Sequence, residues 1–315
     1  MNRYHLFEAG EESKMNFENL STEQVNEQSK NLDRLTPLEA ARLMNQMDRQ
    51  AAEAVEQALP QIAEAVEQIA ARMKEGGRLI YIGAGTSGRL GVLDASECPP
   101  TFGTDENLVV GLIAGGDFAL RHAVEKAEDK PELAVEALKA IGFSEKDCLV
   151  GISASGYAPY CVGGLDYARE LGALTIALSC NKDAIQSKHA EIAIEMPTGA
   201  EILSGSTRLR AGTATKMALN MLTTLTMVQL GKVYGNLMVD MRPTNQKLQD
   251  RAIRIVQKAL DIEDKAEADK LLESAGRDVK TAIVMRSAGV TKEKAQEALR
   301  ASGGFVRKAQ DWLKK

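Results

Sequence analysis

The stretch Gly83-Ala84-Gly85-Thr86-Ser87-Gly88-Arg89 sets three glycines and two hydroxyls directly after the apolar run Leu79-Ile80-Tyr81-Ile82. A buried strand that turns into a helix there leaves backbone N–H groups without partners, which is a place for an anion. The glycine spacing also fits a dinucleotide fingerprint, but such a site asks for an acidic residue at the end of the second strand, roughly 20 residues on. The next apolar run, Leu108 to Ala114, is followed by Gly115 and Gly116 before Asp117. Hydroxyls donate well to a phosphate monoester. Gly85, Thr86, Ser87 and Gly88 therefore read as the phosphate end of a sugar-phosphate pocket.

Two further clusters have the same character. Ser153-Ala154-Ser155-Gly156 follows the apolar run Cys148 to Ile152, and Ser204-Gly205-Ser206-Thr207-Arg208 precedes a long helical pattern that starts near Leu209. If all three lie at one end of a sheet, Ser153, Ser155, Ser206 and Thr207 converge on the first loop; the plainer reading is that each cluster caps its own helix. Among carboxylates, Glu97 stands just before Cys98-Pro99-Pro100, where the proline pair should end the helix begun by the first loop. The plain alternative is a solvated side chain. Glu125 and Glu128 fall one turn apart in a stretch read as helix, and periodicity does not choose between them. His122, beside Arg121, reads as a surface residue, and His5 and His189 offer less. No cluster has metal-ligand spacing and no serine sits in a nucleophile elbow, so no metal site is expected. Carboxylates, hydroxyls and backbone amides suit proton transfer on a phosphorylated sugar.

The elements that must position these groups follow from the apolar pattern. Leu79 to Ile82, Leu108 to Ile113, Cys148 to Ile152, Leu174 to Leu178 and Ile192 to Ile194 read as strands, with helices between most of them. This is an α/β, doubly wound, mostly parallel sheet, in which ligands bind beyond the carboxyl ends of the strands. Thr36-Pro37-Leu38-Glu39 is a capping box that opens a helix with Leu43, Met47, Ala51, Ala54 and Val55 on its apolar face; Pro60 interrupts before a second helix. The helix after Leu209 carries Met217, Met221, Leu225 and Val228 on one face. Residues 1–35 read as a polar arm, with a short Met15-Asn16-Phe17 patch, that orders against a partner. Residues 36–244 form the α/β domain, and 245–315 a small all-helical module. In that module Leu272, Gly276, Val279, Lys280 and Ala282 repeat at an offset of 27 as Leu299, Gly303, Val306, Arg307 and Ala309, which suggests two helical hairpins with solvated charged faces.

With 315 residues, 44% hydrophobic and 26% charged, the chain can bury one substantial core and add a smaller domain. A net charge of -5 without clustered Lys and Arg excludes a nucleic-acid partner. No apolar segment is long enough to span a bilayer and no signal peptide is read, so the expected location is the cytoplasm, away from membranes. Cys98, Cys148, Cys161 and Cys180 form no C-x-x-C pair and read as reduced core residues.

The whole run from Gly83 through Arg89, Glu97, Pro99 and Pro100 to Gly103 resembles the signature of the N-acetylmuramic acid 6-phosphate etherase family. Gly111 to Gly116, Leu203 to Ala214, Lys216 to Met221, Gly231 to Tyr234 and Asn236 to Val239 agree with that family in order and spacing, from about Thr36 to the carboxyl terminus. The resemblance implies a sugar isomerase (SIS) α/β domain acting as a homodimer, a carboxyl-terminal module similar to a ubiquitin-associated fold, a phosphosugar substrate and no cofactor. It implies an amino-sugar lyase that removes D-lactate in cell-wall sugar recycling. By this resemblance Glu97 is the acid/base residue at the departing lactyl oxygen and Glu128 the base at C2, while Thr86, Ser87, Ser153, Ser155, Ser206 and Thr207 hold phosphate and sugar. The chain departs from the family pattern at Tyr157-Ala158, where the family has Arg-Thr, and at Val25, where it carries arginine. Two rivals share the domain: a non-catalytic phosphosugar regulator like the glucokinase regulatory protein, and an aldose-ketose isomerase or deaminase. The pairing of Glu97 with Glu128 argues against the first, and the long signature around Glu97 against the second.

Overall fold

The computed structural model describes residues 20–124, 126–241 and 245–314. Helix α1 (Pro37–Gln57) opens on the expected capping box, the Thr36 hydroxyl accepting from the Glu39 amide and the Glu39 carboxylate from the Thr36 amide. Met47, Ala51, Ala54 and Val55 are its buried face. Helix α2 (Leu59–Lys74) takes Pro60 in its first turn, where the missing amide would have been unpaired.

The five apolar runs become strands within a residue or so of their expected bounds: β1 (Leu79–Gly83), β2 (Val109–Ile113), β3 (Cys148–Ile152), β4 (Leu174–Ser179) and β5 (Ile192–Glu195). All neighbouring pairs are parallel, in the order β2-β1-β3-β4-β5. β1, β3 and β4 are buried along their whole length, which explains their unbroken apolar composition. The chain leaves β1 for β2 on one side and then returns to β3 on the other. The carboxyl ends of β1 and β3 thus flank the topological switch point, where open sheets of this kind bind ligands. Helices α3 (Gly85–Phe102), α4 (Pro131–Ala140) and α5 (Pro159–Leu171) make the connections, and Ile80, Ile82, Leu138, Leu149 and Leu165 belong to the core between sheet and helices. α6 (Arg210–Gln229) follows the sheet.

Three expectations are corrected. α3 runs through Pro99 and Pro100 to Phe102, the two prolines forgoing the amide bonds they would have donated to the preceding turn; the helix stops at Gly103, whose φ of +62° breaks it. The stretch around Glu128 is not helical: residues 126–129 form turns, Lys126 has φ +65°, and helix begins only at Pro131, whose ring disfavours helix before it. Glu125, His5 and Met15-Asn16-Phe17 lie outside the described residues. Residues 20–35 order on their own chain, with Thr22 fully buried and Asn26 donating to the Ala200 carbonyl at 2.9 Å.

The chain divides into two compact units, Met1–Ala95 with Val109–Leu222, and Ser96–Leu108 with Thr223–Lys315. The division falls inside α3 and α6. The second unit has its own core, which includes Val256, Leu272, Ile283, Ala298 and Ala309, built on α7 (Gln246–Leu260), α8 (Lys265–Ser274), α9 (Val279–Ala288), α10 (Lys292–Ala301) and α11 (Val306–Trp312). The 27-residue repeat is α8-turn-α9 followed by α10-turn-α11, with Gly276 and Gly303 at matching left-handed positions (φ +72° and +62°). Its charged faces are not all solvated: Lys280 is buried and pairs with Asp240 at 3.0 Å, which also takes Lys232 at 2.7 Å.

Candidate active site

At the switch point a cavity of about 270 Å³ opens between the ends of β1 and β3. Gly85, Thr86 and Ser87 line it from the first turn of α3, Ser153 and Ser155 from the loop after β3, Thr207 from the turn before α6, and Thr215 from the second turn of α6. The three hydroxyl clusters therefore do converge. They also serve the local backbone: Ser153 Oγ accepts from the Gly156 amide and Ser155 Oγ from the Tyr157 amide, each at 3.2 Å, and the two oxygens lie 3.1 Å apart. One of the two hydroxyls donates to the other and the second keeps its proton free, so capping these turns leaves a donor for a ligand.

The two helix starts differ. Glu201, buried, accepts from the amides of Arg210 (3.1 Å) and Ala211 (2.8 Å), so the first amides of α6 are already occupied by a carboxylate. α6 brings hydroxyls to the cavity, and α3 remains the helix whose start suits an anion. Gly88 does not line the cavity. It is buried beneath it, where a Cβ would lie 2.5 Å from the Gly83 carbonyl oxygen and 2.6 Å from Ile113 Cγ1. Its role is to let α3 start hard against the end of β1. Ser206 sits half-buried in the turn before α6 without lining the cavity.

Glu128 lines the cavity from the turn between β2 and α4. Its carbonyl accepts from the Tyr160 amide at 2.9 Å, which ties the turn to α5. Although the residue keeps an open surface, the protein around its carboxyl desolvates it enough to raise its pKa, and the like charge of Asp129 adds to the rise. Arg89 donates to the carbonyls of Leu120 (3.0 Å), Ala119 (2.7 Å) and His122 (3.1 Å), so it clasps the connection that leads to Glu128. His122 is exposed and stacks on Phe118. Glu97 is exposed, does not line this cavity, and stands twelve residues beyond Gly85 on α3. All four cysteines are buried thiols.

Sequence reasoning missed Glu23, Thr215 and Asn181. Glu23 lines the cavity from the arm. Asn181 lies just past β4, and residues beyond strand carboxyl ends are where this fold builds sites, a signal that was present in the chain. Of the two departures from the family pattern, Tyr157 is half-buried beside the Ser155 turn and Val25 is 62% exposed.

A parallel sheet with a hydroxyl-lined cavity at its switch point defines an α/β protein of SIS-domain type: residues 61–169 match the glucokinase regulatory protein N-terminal SIS domain and residues 123–225 the SIS domain. The chain is 52% identical over 292 residues to an N-acetylmuramic acid 6-phosphate etherase of a Geobacillus species, covering 93% of this chain and 99% of that protein. It is 53% identical to those of an Exiguobacterium species (92% and 98% covered) and Bacillus mycoides (93% and 99%). It belongs to the N-acetylmuramic acid 6-phosphate etherase family. A solved phosphosugar isomerase candidate from Bacteroides fragilis is similar with a TM-score of 0.48 and 22% identity, covering 61% of this chain and 91% of that one. The regulator alternative is not favoured, since relatives named as enzymes match nearly the whole chain. No helix among the described residues is long and apolar enough to cross a membrane.

Proposed function

We propose that this protein cleaves the D-lactyl ether of N-acetylmuramic acid 6-phosphate by elimination and water addition, releasing D-lactate and N-acetylglucosamine 6-phosphate in the cytoplasm. The observation that carries this is the convergence of Glu128 and three hydroxyl clusters on one cavity at the start of α3. The phosphate takes the α3 amides with Thr86 and Ser87, and Ser153, Ser155 and Thr207 hold phosphate or sugar, with Gly85 giving close backbone approach. Ring opening exposes an aldehyde that acidifies the C2 proton. Glu128, its pKa raised by burial and by the charge of Asp129, takes that proton. The C3–O bond then breaks, Glu97 protonating the lactyl oxygen, to leave an unsaturated aldehyde and lactate. Water adds at C3, delivering its proton through Glu97, and C2 recovers a proton from Glu128. The aldehyde is the electron sink, so the steps balance without a cofactor.

Glu97 does not line the cavity that holds Glu128. We therefore assign the working form as a homodimer in which Glu97 serves the cavity of the second copy. The half-exposed apolar row on α6, with Leu225 at 43% and Val228 at 37% exposure, supplies a face for such a contact. The helical module at 245–315 is given no catalytic part. The test is incubation with N-acetylmuramic acid 6-phosphate in oxygen-18 water: lactate release with label at sugar C3 is expected. Tight binding without lactate would refute the enzyme reading.

A further inference from the structure

Beside the cavity, the arm that supplies Glu23 is fastened by the buried side chain of Asn181. Asn181 Oδ1 accepts from Ser21 Oγ (2.7 Å) and the Thr22 amide (3.4 Å), while its Nδ2 donates to Thr22 Oγ1 (3.0 Å) and to the carbonyls of Ala154 (3.1 Å) and Ser155 (3.4 Å). Asn181 is 3% exposed and Thr22 0%. Buried amide and hydroxyl groups persist when they are this fully paired, so the arm and the Ser153–Ser155 loop are held as one piece. The next residue, Glu23, lines the cavity, and its Oε2 lies 3.1 Å from where a Cβ on Gly205 would be, against the loop that carries Thr207. Among the described residues the Glu23 carboxylate makes no hydrogen bond or ion pair. A carboxylate held by a rigid anchor, facing a cavity and left without a protein partner, is available to a ligand.

The remaining question is which part of a ligand it takes. Every other polar side chain lining the cavity, apart from Glu128, is a hydroxyl, and hydroxyls and first-turn amides serve the anionic groups. Glu23 repels the phosphate and the lactyl carboxylate, so it faces the neutral portion of the sugar. We propose that Glu23 is a specificity-determining residue that accepts hydrogen bonds from the hydroxyl or acetamide N–H groups of the substrate, an inference that rests on the phosphosugar reaction proposed above. It orients the sugar by attraction at its neutral face and by repulsion of its two charged groups.

Steady-state lactate release on N-acetylmuramic acid 6-phosphate tests this with the wild type, Glu23→Ala and Glu23→Gln. Losing a bond to a charged acceptor is expected to raise KM roughly ten-fold or more in Glu23→Ala. kcat should stay within about three-fold, because the contact is made equally to substrate and transition state. Glu23→Gln, which keeps an acceptor oxygen, should fall between, and both variants should melt with the wild type. A wild-type KM in Glu23→Ala overturns the inference, as does a KM rise accompanied by a lower melting temperature. A wild type that releases no lactate refutes the reaction itself, whereas a wild type that releases it with Glu23→Ala unchanged refutes only the role of Glu23.

Discussion

Gly88→Ala separates packing from ligand contact at the α3 start. The added methyl would sit 2.5 Å from the Gly83 carbonyl oxygen and 2.6 Å from Ile113 Cγ1. The isoleucine can turn aside, but the carbonyl cannot, because it accepts the Ala114 amide at 3.0 Å and lies at the end of a strand paired on both sides. α3 must therefore retreat by roughly half an ångström or more to reach ordinary contact distance. Overpacking of this kind costs about 1–3 kcal/mol. At about 2–4 °C per kcal/mol, the melting temperature falls by roughly 2–12 °C. The retreat also carries Gly85, Thr86 and Ser87 away from their positions on the cavity wall, and a misplacement on the ångström scale lowers kcat/KM by up to about 100-fold. Thermal unfolding and lactate release at saturating and sub-saturating substrate measure the two effects separately. Wild-type melting together with wild-type KM in Gly88→Ala would refute the claim that close approach, not ligand contact, requires glycine here.

Glu97→Ala and Glu128→Ala should each abolish lactate release with folding intact, and reassorting the two variants in equal amounts should restore about a quarter of wild-type activity, since half the dimers would then hold one complete site; no recovery refutes the shared site. Because burial and Asp129 raise the Glu128 pKa, the acid limb of kcat/KM should be shifted upward by them, and Asp129→Asn should move it to lower pH. A limb that stays put or rises in Asp129→Asn refutes Glu128 as the base. Asp147 pairs with Arg78 at 2.8 Å and, although burial raises its pKa, hydrogen bonds from Arg78 and Ser144 pull it below 3.8. Its stabilisation is present above pH 3.8 and lost as pH falls through the lower folded value. Asp147→Ala should cost about 2–4 kcal/mol at neutral pH and flatten the acid-side fall in melting temperature, read by calorimetry.

The strands were legible because a parallel sheet covered on both faces demands unbroken apolar runs, and β1, β3 and β4 have them. The α1 capping box was legible for the same local reason: Thr36 and Glu39 satisfy each other within three residues. Glu128 could not be placed by periodicity, since the segment around it is turn, fixed by Pro131 ahead and by Tyr160 from a distant helix. Glu23 was invisible for a different reason: its place depends on Asn181, 158 residues away, and on no pattern in the arm itself. The glycine fingerprint was read as ligand-binding throughout, but Gly88 in the structure serves the strand-to-helix junction.

Glu128, the proposed base, sits in a turn outside regular structure. A helix or inner strand would have fixed its position but enclosed it, and substrate has to reach the carboxyl. The turn leaves it open, while two clasps replace the missing ladder: Arg89 from α3 holds the carbonyls of Ala119, Leu120 and His122, and Tyr160 from α5 holds the carbonyl of Glu128 itself. α3 begins with the cavity-lining hydroxyls of Thr86 and Ser87, and α5 follows directly from the Ser153–Ser155 loop. On the proposed roles, the elements that would grip the substrate are the ones that hold Glu128, so the separation between Thr86, Ser87 and the Glu128 carboxyl is set by packing across the switch point. The partial enclosure that results is also what lifts the carboxyl pKa, so position and basicity have one structural origin.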